Sequence, residues 1–440
     1  MFGTSGIRGR VGETVTAGLA LDVGRALASA GYDRVVVGRD PRESGRFLVD
    51  ALTAGLRECG AEVVRLGLAS TPTVARSVGW LDADAGVSVT ASHNPPEDNG
   101  LKLWNPSGQA FTADQRDEIA RRLDEAAFDL AAWDAVGDQS TWDGATDRHR
   151  EALVEAADLA DSLSVAVDVG NGAGRVTADA LADLGCDVTT LNGQPDGSFP
   201  GRPSEPTAET CADLRAFVAA SDADLGVAHD GDADRMMAVT GDGAFVPGDV
   251  LLALFARHAV GDGERVAVPL NTSLVVDDVV AAEGGSVTRT RVGDVHVADA
   301  AADPDVAFGG EPSGAWIWPD ETRCPDGPLA AMRLAELVSH EGALADLVAD
   351  VGSYPIRRES VAVDDKTGVM ERVTARVADE YDDVQTVDGV RVDLGDAWFL
   401  VRASGTQPLV RVTAEARDPT RADEVFERAR ALVADQVAAG

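Results

Sequence analysis

The sequence predicts an α/β protein: three similar mixed α/β domains and a C-terminal α+β domain around one central cleft. Two patterns predict this. First, an apolar strand ending in a polar or Gly-rich turn, a helix-like stretch and a second strand recur three times. The pairs are residues 35–40 with 62–66, 165–170 with 187–191, and 265–271 with 286–290. Second, each unit has a third strand with a similar lead-in, at 82–89, 222–228 and 303–308, and each strand runs into a polar loop. Those loops are Thr90-Ala91-Ser92-His93-Asn94-Pro95, Asp230-Gly231-Asp232-Ala233-Asp234-Arg235 and Gly310-Glu311-Pro312-Ser313-Gly314. Ligands of open α/β sheets bind outside the carboxyl ends of strands, so the three loops can share a cleft.

From about Tyr354 the pattern changes to strand 358–363, helix 366–380, strands 389–394, 397–402 and 409–416, and helix 420–437. The loop Arg402-Ala403-Ser404-Gly405-Thr406-Gln407-Pro408 joins two of these strands as a hairpin. Linkers are expected near 142–163, 239–248 and 349–354, giving domains 1–141, 142–240, 241–350 and 351–440.

Charge removes several function classes. In 440 residues, 75 acidic side chains face 38 basic ones, a net charge of −37. No basic footprint for nucleic acid is present, and an anionic membrane surface would repel the chain. No uncharged apolar run approaches 18 residues, so no membrane span is expected. The first nine residues lack the apolar stretch of a signal peptide, and Cys59, Cys186, Cys211 and Cys324 are scattered, so a cytoplasmic protein with reduced thiols is expected. Only two lysines, Lys102 and Lys366, stand among the 38 basic residues. An acidic, Lys-poor chain resembles proteins of salt-loving microbes, in which salt screens self-repulsion.

Four groups of residues can carry chemistry. Asp230, Asp232 and Asp234, at i, i+2 and i+4, can turn three carboxylates toward one hard divalent cation. With 52 Asp in the chain, chance supplies this spacing roughly 0.7 times, so its place after an apolar strand is what raises it. An EF-hand is excluded because Arg235 and Gly241 occupy its sixth and twelfth positions. Ser92, in a turn before Pro95, can be a nucleophile if activated or simply a turn residue. Lys102 is kept where the chain otherwise uses Arg, and a lysine of lowered pKa can move protons. Arg402, Ser404, Gly405, Thr406 and Arg411 fit a phosphate clamp and fit an ordinary Gly-containing hairpin equally well. Glu311 and Ser313 can bind sugar hydroxyls or form a turn.

In this order the loops resemble the α-D-phosphohexomutase superfamily. The matching stretches are FGTSGIRG at 2–9, TASHNP at 90–95, DGDADR at 230–235, GEPSG at 310–314 and RASGTQP at 402–408. The resemblance implies a fourth domain of the TATA-binding-protein-like type. It implies that Ser92 is carried as phosphoserine and that Asp230, Asp232 and Asp234 bind one Mg²⁺, with Ser92 as a further ligand. Glu311 and Ser313 then match the sugar-recognition loop, and Arg402, Ser404, Gly405 and Thr406 the phosphate-binding loop. Arg8, His93, Lys102 and Arg235 are the expected catalytic side chains. Val292-Gly293-Asp294 and the R-x-S-G-T core are similar to the phosphoglucosamine mutase branch, with phosphomannomutase/phosphoglucomutase as the alternative. Ala315 stands where bacterial members of the former branch have His, and Gln407 where Glu is usual. The expected reaction moves phosphate between O6 and O1 of a hexose, glucosamine first, through a 1,6-bisphosphate. Two remote alternatives are a haloacid-dehalogenase-like phosphatase with Asp230 as nucleophile and a non-catalytic phosphosugar-binding protein.

Overall fold

The computed structural model describes residues 6–404 and 408–438. The described residues form four sheets. In the first, Arg34–Arg39 lies between Glu62–Leu68 and Ala85–Val89, parallel to both. Asp98–Trp104 adds antiparallel to Ala85–Val89, and Ile7–Arg10 and Gln139–Thr141 close the two edges. The second sheet repeats the plan, with Ser164–Asp168 between Asp187–Leu191 and Leu225–His229 and with Met236–Thr240 antiparallel to the last. The third has Arg265–Pro269 between Ser286–Thr290 and Val306–Glu311, and then antiparallel Ala315–Ile317. In every unit the polar loop connects the third strand to its antiparallel partner. Three diverged loops therefore stand at one topological position.

The central strands Arg34–Arg39, Ser164–Asp168 and Arg265–Pro269 read as apolar runs because helices cover both faces. Ala85–Val89 and Leu225–His229 are buried at every residue. Among the covering helices, Ser44–Glu58 buries Leu48, Leu52 and Leu56, one residue per turn. Helix Thr71–Trp80 starts where Ser70 accepts the Thr73 N–H and Pro72 occupies the first turn.

One expectation needs correcting. The segment 142–163, read as a linker, contains the helix Ala145–Glu155, which buries Ala145, His149 and Leu153. With an alanine and a histidine in a three-residue stripe, its apolar period is too faint to read from sequence.

The last domain is one antiparallel sheet in the spatial order Ile356–Ala362, Leu409–Ala416, Ala397–Ala403, Val390–Asp393, Val384–Gln385. Val369, Val373 and Val377 of helix Lys366–Glu380 and Val425, Ala429 and Val433 of helix Pro419–Ala438 share a core with the sheet's Val390, Phe399, Val401 and Val412. Both helices thus place a stripe of i, i+4, i+8 residues on the sheet. Among the described residues, no helix is long and apolar enough to cross a membrane.

Candidate active site

Ser92 is buried and holds a left-handed backbone conformation, φ 51°. For a non-glycine residue this costs on the order of 1–3 kcal/mol, so the surroundings must enforce it. They do so through Arg42, which is fully buried. Its guanidinium donates to the carbonyls of Ser92 (2.9 Å), Asn94 (2.6 Å), Asp98 (3.0 Å) and Pro95, and to Asp40 Oδ2 at 2.9 Å. Thr90 Oγ1 accepts the Ser92 N–H at 2.8 Å and donates to Asp40 at 2.7 Å. So gripped, Ser92 Oγ donates to Asp230 Oδ2 at 2.6 Å, a contact between the first and second units. His93 Nδ1 lies 3.3 Å from the same hydroxyl. Burial, then the charges of Arg235, Arg8 and Lys102, push the His93 pKa down to about 2, so the ring is neutral.

Asp230, Asp232 and Asp234 are buried and offer oxygens within 4.8 Å of one another. Asp232 Oδ2 accepts from Thr71 Oγ1 at 2.6 Å and Lys102 Nζ at 2.8 Å, and Lys102 also bonds Asp234 Oδ2. Burial, then the neighbouring carboxylates, raises the pKa of Asp230 and of Asp234. Burial pushes Asp232 the same way, but Lys102 and the Thr71 hydrogen bond prevail and hold it below the usual range. Burial would lower Lys102, yet Asp232 and Asp234 together raise it. The lysine of lowered pKa expected from the sequence is therefore a lysine held charged between two carboxylates. Asp232 Oδ1 and Asp234 Oδ1 are buried without a hydrogen-bond partner. Orphaned buried acceptors are costly, and a hard divalent cation satisfies an all-oxygen set of this kind. The donors fit Mg²⁺.

The third loop is stitched to the second. Arg235 and Ala315 form a β-bridge, Met236 N–H donates to Gly314 O at 2.9 Å, and Trp316 Nε1–H to Met236 O at 2.8 Å. Glu311 accepts from Gly293 N–H at 2.6 Å and Ser313 Oγ–H at 3.1 Å. Burial, then the Asp294 charge, pushes Glu311 up to about 7 despite Arg235. Arg235 stays charged: burial works against it, and Asp234, Asp230 and Glu311 outweigh burial. Arg8 is half-buried and donates to Asn94 Oδ1 at 3.2 Å, on the serine loop.

The fourth domain reaches this group through Asp388. Its Oδ2 accepts from Arg402 Nη1 at 3.0 Å and from Val292 N–H at 3.1 Å, one residue before Gly293. Arg411 is exposed and lies in register opposite Arg402. Ser404 is buried, and its carbonyl accepts from Lys366 Nζ at 2.7 Å. Gly405 and Thr406 lie outside the described residues.

Sequence reasoning missed the supporting residues Arg42, Thr71 and Arg202. Arg202 serves the second unit as Arg42 serves the first: it bonds Asp168 Oδ2 and His229 O, each at 2.6 Å. The available signal was an Asp at the end of each first strand, Asp40 and Asp168. The arginines themselves are hidden among many others.

Family models cover the chain in order. Phosphoglucomutase/phosphomannomutase α/β/α domain I matches residues 1–129, domain II 147–243, domain III 247–354 and the C-terminal domain 360–432. A protein of Methanopyrus kandleri named as a probable phosphoglucosamine mutase is 47% identical, over 96% of this chain and 95% of its own length. One of Methanothermobacter thermautotrophicus, with the same name, is 46% identical over 98% and 97%. The crystal structure of a phosphoglucomutase/phosphomannomutase family protein from Burkholderia thailandensis superposes with a TM-score of 0.88 at 29% identity, covering 99% of this chain and 98% of that one. Four domain matches in order, near full-length relatives and a shared fold lead to one conclusion: the chain belongs to the phosphoglucomutase/phosphomannomutase family and is a phosphohexomutase, an intramolecular phosphotransferase.

Proposed function

We propose that the chain interconverts glucosamine 6-phosphate and glucosamine 1-phosphate, with Ser92 as the phosphoryl carrier. One observation carries this reading: the Ser92 hydroxyl sits 2.6 Å from Asp230, beside two carboxylate oxygens that no protein group satisfies. A hydroxyl in that place meets the needs of phosphoryl transfer, which rests on positioning and charge. With Ser92 phosphorylated, the free hydroxyl of a bound hexose monophosphate attacks phosphorus. The new P–O bond forms as the P–Oγ bond breaks, and the sugar hydroxyl's proton ends on Ser92 Oγ. The resulting 1,6-bisphosphate turns over in the cleft, and Ser92 Oγ attacks the other phosphate; that phosphate's bond to the sugar oxygen breaks, and the serine proton passes to the released sugar hydroxyl.

Each side chain has a part. Lys102 and Arg235 stay charged and, with Arg8, face the transferring group, and neutral His93 bonds at the serine oxygen. Glu311 and Ser313 hold sugar hydroxyls. Arg402, Ser404, Gly405, Thr406 and Arg411 grip the phosphate that is not reacting. Asp230, Asp232 and Asp234 would hold Mg²⁺, which would offset charge on the phosphoryl oxygens. Glucosamine is supported by the names of the two relatives above 45% identity; no observation favours mannose or glucose over it.

Phosphorus NMR of the purified chain with glucosamine, mannose and glucose 6-phosphates tests the reading, together with intact mass. The expected result is the highest kcat/KM for the glucosamine ester and a species heavier by about 80 Da, one phosphoryl group, that Ser92→Ala lacks. Preferred turnover of the mannose or glucose ester would overturn the substrate. Wild-type turnover by Ser92→Ala would overturn the carrier.

A further inference from the structure

Behind the carboxylate triad lies a buried polar chain drawn from three parts of the molecule. Thr71 opens helix Thr71–Trp80 and touches Asp232 twice: its N–H donates to the Asp232 carbonyl at 2.8 Å and its hydroxyl to Oδ2 at 2.6 Å. Within the same helical turn, Ser70 Oγ and Thr73 Oγ1 lie 2.6 Å apart, and Thr73 Oγ1 lies 2.8 Å from His149 Nδ1. His149 comes from the helix Ala145–Glu155, and its Nε2 is 3.3 Å from Asp326 Oδ2 of the third unit. Arg76 Nε donates to that same oxygen at 2.8 Å. Ser70, Thr71, Thr73, His149 and Asp326 are all at most 2% exposed.

The hydrogen bonds run in one consistent direction. Burial lowers the His149 pKa, so the ring carries one proton. A carboxylate only accepts, which places that proton on Nε2 and leaves Nδ1 to accept from Thr73. Thr73 Oγ1 can then accept from Ser70. Asp326 in turn caps the helix Gly327–Glu341, and Gly327 presses on the metal loop: a Cβ there would fall on the carbonyl oxygens of Arg235 and Ala233. The loop 230–235 is thus held at Asp232 by one domain and at 233–235 by another. With its Oδ2 bonded to Thr71 and Lys102, Asp232 has its orphaned Oδ1 free toward a cation.

We propose that Thr71 is a positioning residue that orients Asp232 for Mg²⁺, and that the Ser70–Thr73–His149–Asp326 chain fixes the helical turn that carries it. The inference rests on the triad being the cation site. Partners of ligand carboxylates set ligand orientation, and losing one typically weakens metal binding about 10–100-fold.

The test is calorimetric titration of the full chain with Mg²⁺ alone, without substrate, in 1 M KCl to screen surface carboxylates. Thr71→Val keeps the shape and removes the hydroxyl, and binding should weaken at least about tenfold. Thr71→Ser restores the donor and should recover most of the loss. His149→Gln should weaken binding by less than Thr71→Val, and it carries the test if Thr71→Val does not fold. Wild-type affinity in Thr71→Val, or in His149→Gln where that variant decides, overturns the proposal. So does a Thr71→Ser as weak as Thr71→Val, which would show that packing and not the hydroxyl matters. A wild-type chain that binds no Mg²⁺ overturns the cation site itself, and the proposal with it.

Discussion

The side chains that hold Ser92 are fully buried, whereas Arg402 is held at a partly solvated ion pair. Around Ser92 a buried arginine gathers four carbonyls, an aspartate locks the arginine, and the Phe199 ring lies 4.8 Å from its guanidinium. Among the described residues, the Arg402 side chain is one-quarter exposed and pairs with Asp388, and Lys366 reaches the Ser404 carbonyl. The neighbours differ too. The serine loop touches the second unit directly, whereas the fourth domain meets the third through Val292–Asp388, Arg291–Val387 and Leu274–Glu415. On the proposed reading the serine loop makes and breaks bonds, which tolerates little displacement. The Arg402 loop, on the same reading, must reach either end of the sugar, and a domain whose contacts among the described residues run to the third unit can move as a body.

Four substitutions would break or sharpen this contrast. The largest effect is Ser92→Ala, which removes the proposed carrier and should cut turnover roughly 10³-fold or more with the fold unchanged; steady-state kinetics and circular dichroism check both halves. Next is Arg42→Met, which leaves Asp40 buried without its partner. Breaking a buried pair costs about 3–5 kcal/mol, so denaturation should show a clear loss of stability. Arg402→Ala should do the reverse, costing under about 1 kcal/mol of stability because its ion pair is partly solvated. It should lower kcat/KM about 10–150-fold in both directions, from a charge-assisted contact of about 1.5–3 kcal/mol, and Arg402→Lys should recover only part. Equal stability losses in Arg42→Met and Arg402→Ala would erase the contrast.

What the sequence discloses follows the same division. The strands Asp187–Leu191 and Ser286–Thr290 and the helix Lys366–Glu380 have the bounds their patterns predict, since strand runs and valines at i, i+4, i+8 encode them locally. The antiparallel strand Asp98–Trp104 carries Lys102 and polar interruptions, and Met236–Thr240 is an apolar run of only five residues, so the sequence reading marks neither. The triad, Ser92 and Glu311 stand out as chemistry at strand ends. Arg42, Thr71 and His149 do not: what each does depends on partners 50 to 177 positions away, and nothing local announces such a partner. Lys102 was visible as a residue, but its charge state was not, because Asp232 and Asp234 decide it from another domain.

The smallest expected effect belongs to Glu311→Gln. Glu311 sits in the folded chain with its pKa pushed up to about 7 from an ordinary 4.5, by burial and then by Asp294. Between those values the native state holds a proton that the unfolded state has released. Stability from this group therefore falls as pH rises from about 4.5 to about 7. Glutamine cannot ionise, so Glu311→Gln should match the wild type near pH 4.5 and exceed its stability above pH 7. Activity should move the other way. The ionised carboxylate accepts from sugar hydroxyls better than an amide does, so the wild-type kcat/KM should climb through about pH 7. The variant's profile should be flat there, and above pH 7 it should lie about 5- to 10-fold lower, near 1 kcal/mol or a little more. Paired denaturation and kinetic profiles from pH 5 to 8.5 decide it. A kinetic step near 7 that survives in Glu311→Gln would assign the titration to another group and leave Glu311 a spacer in its turn.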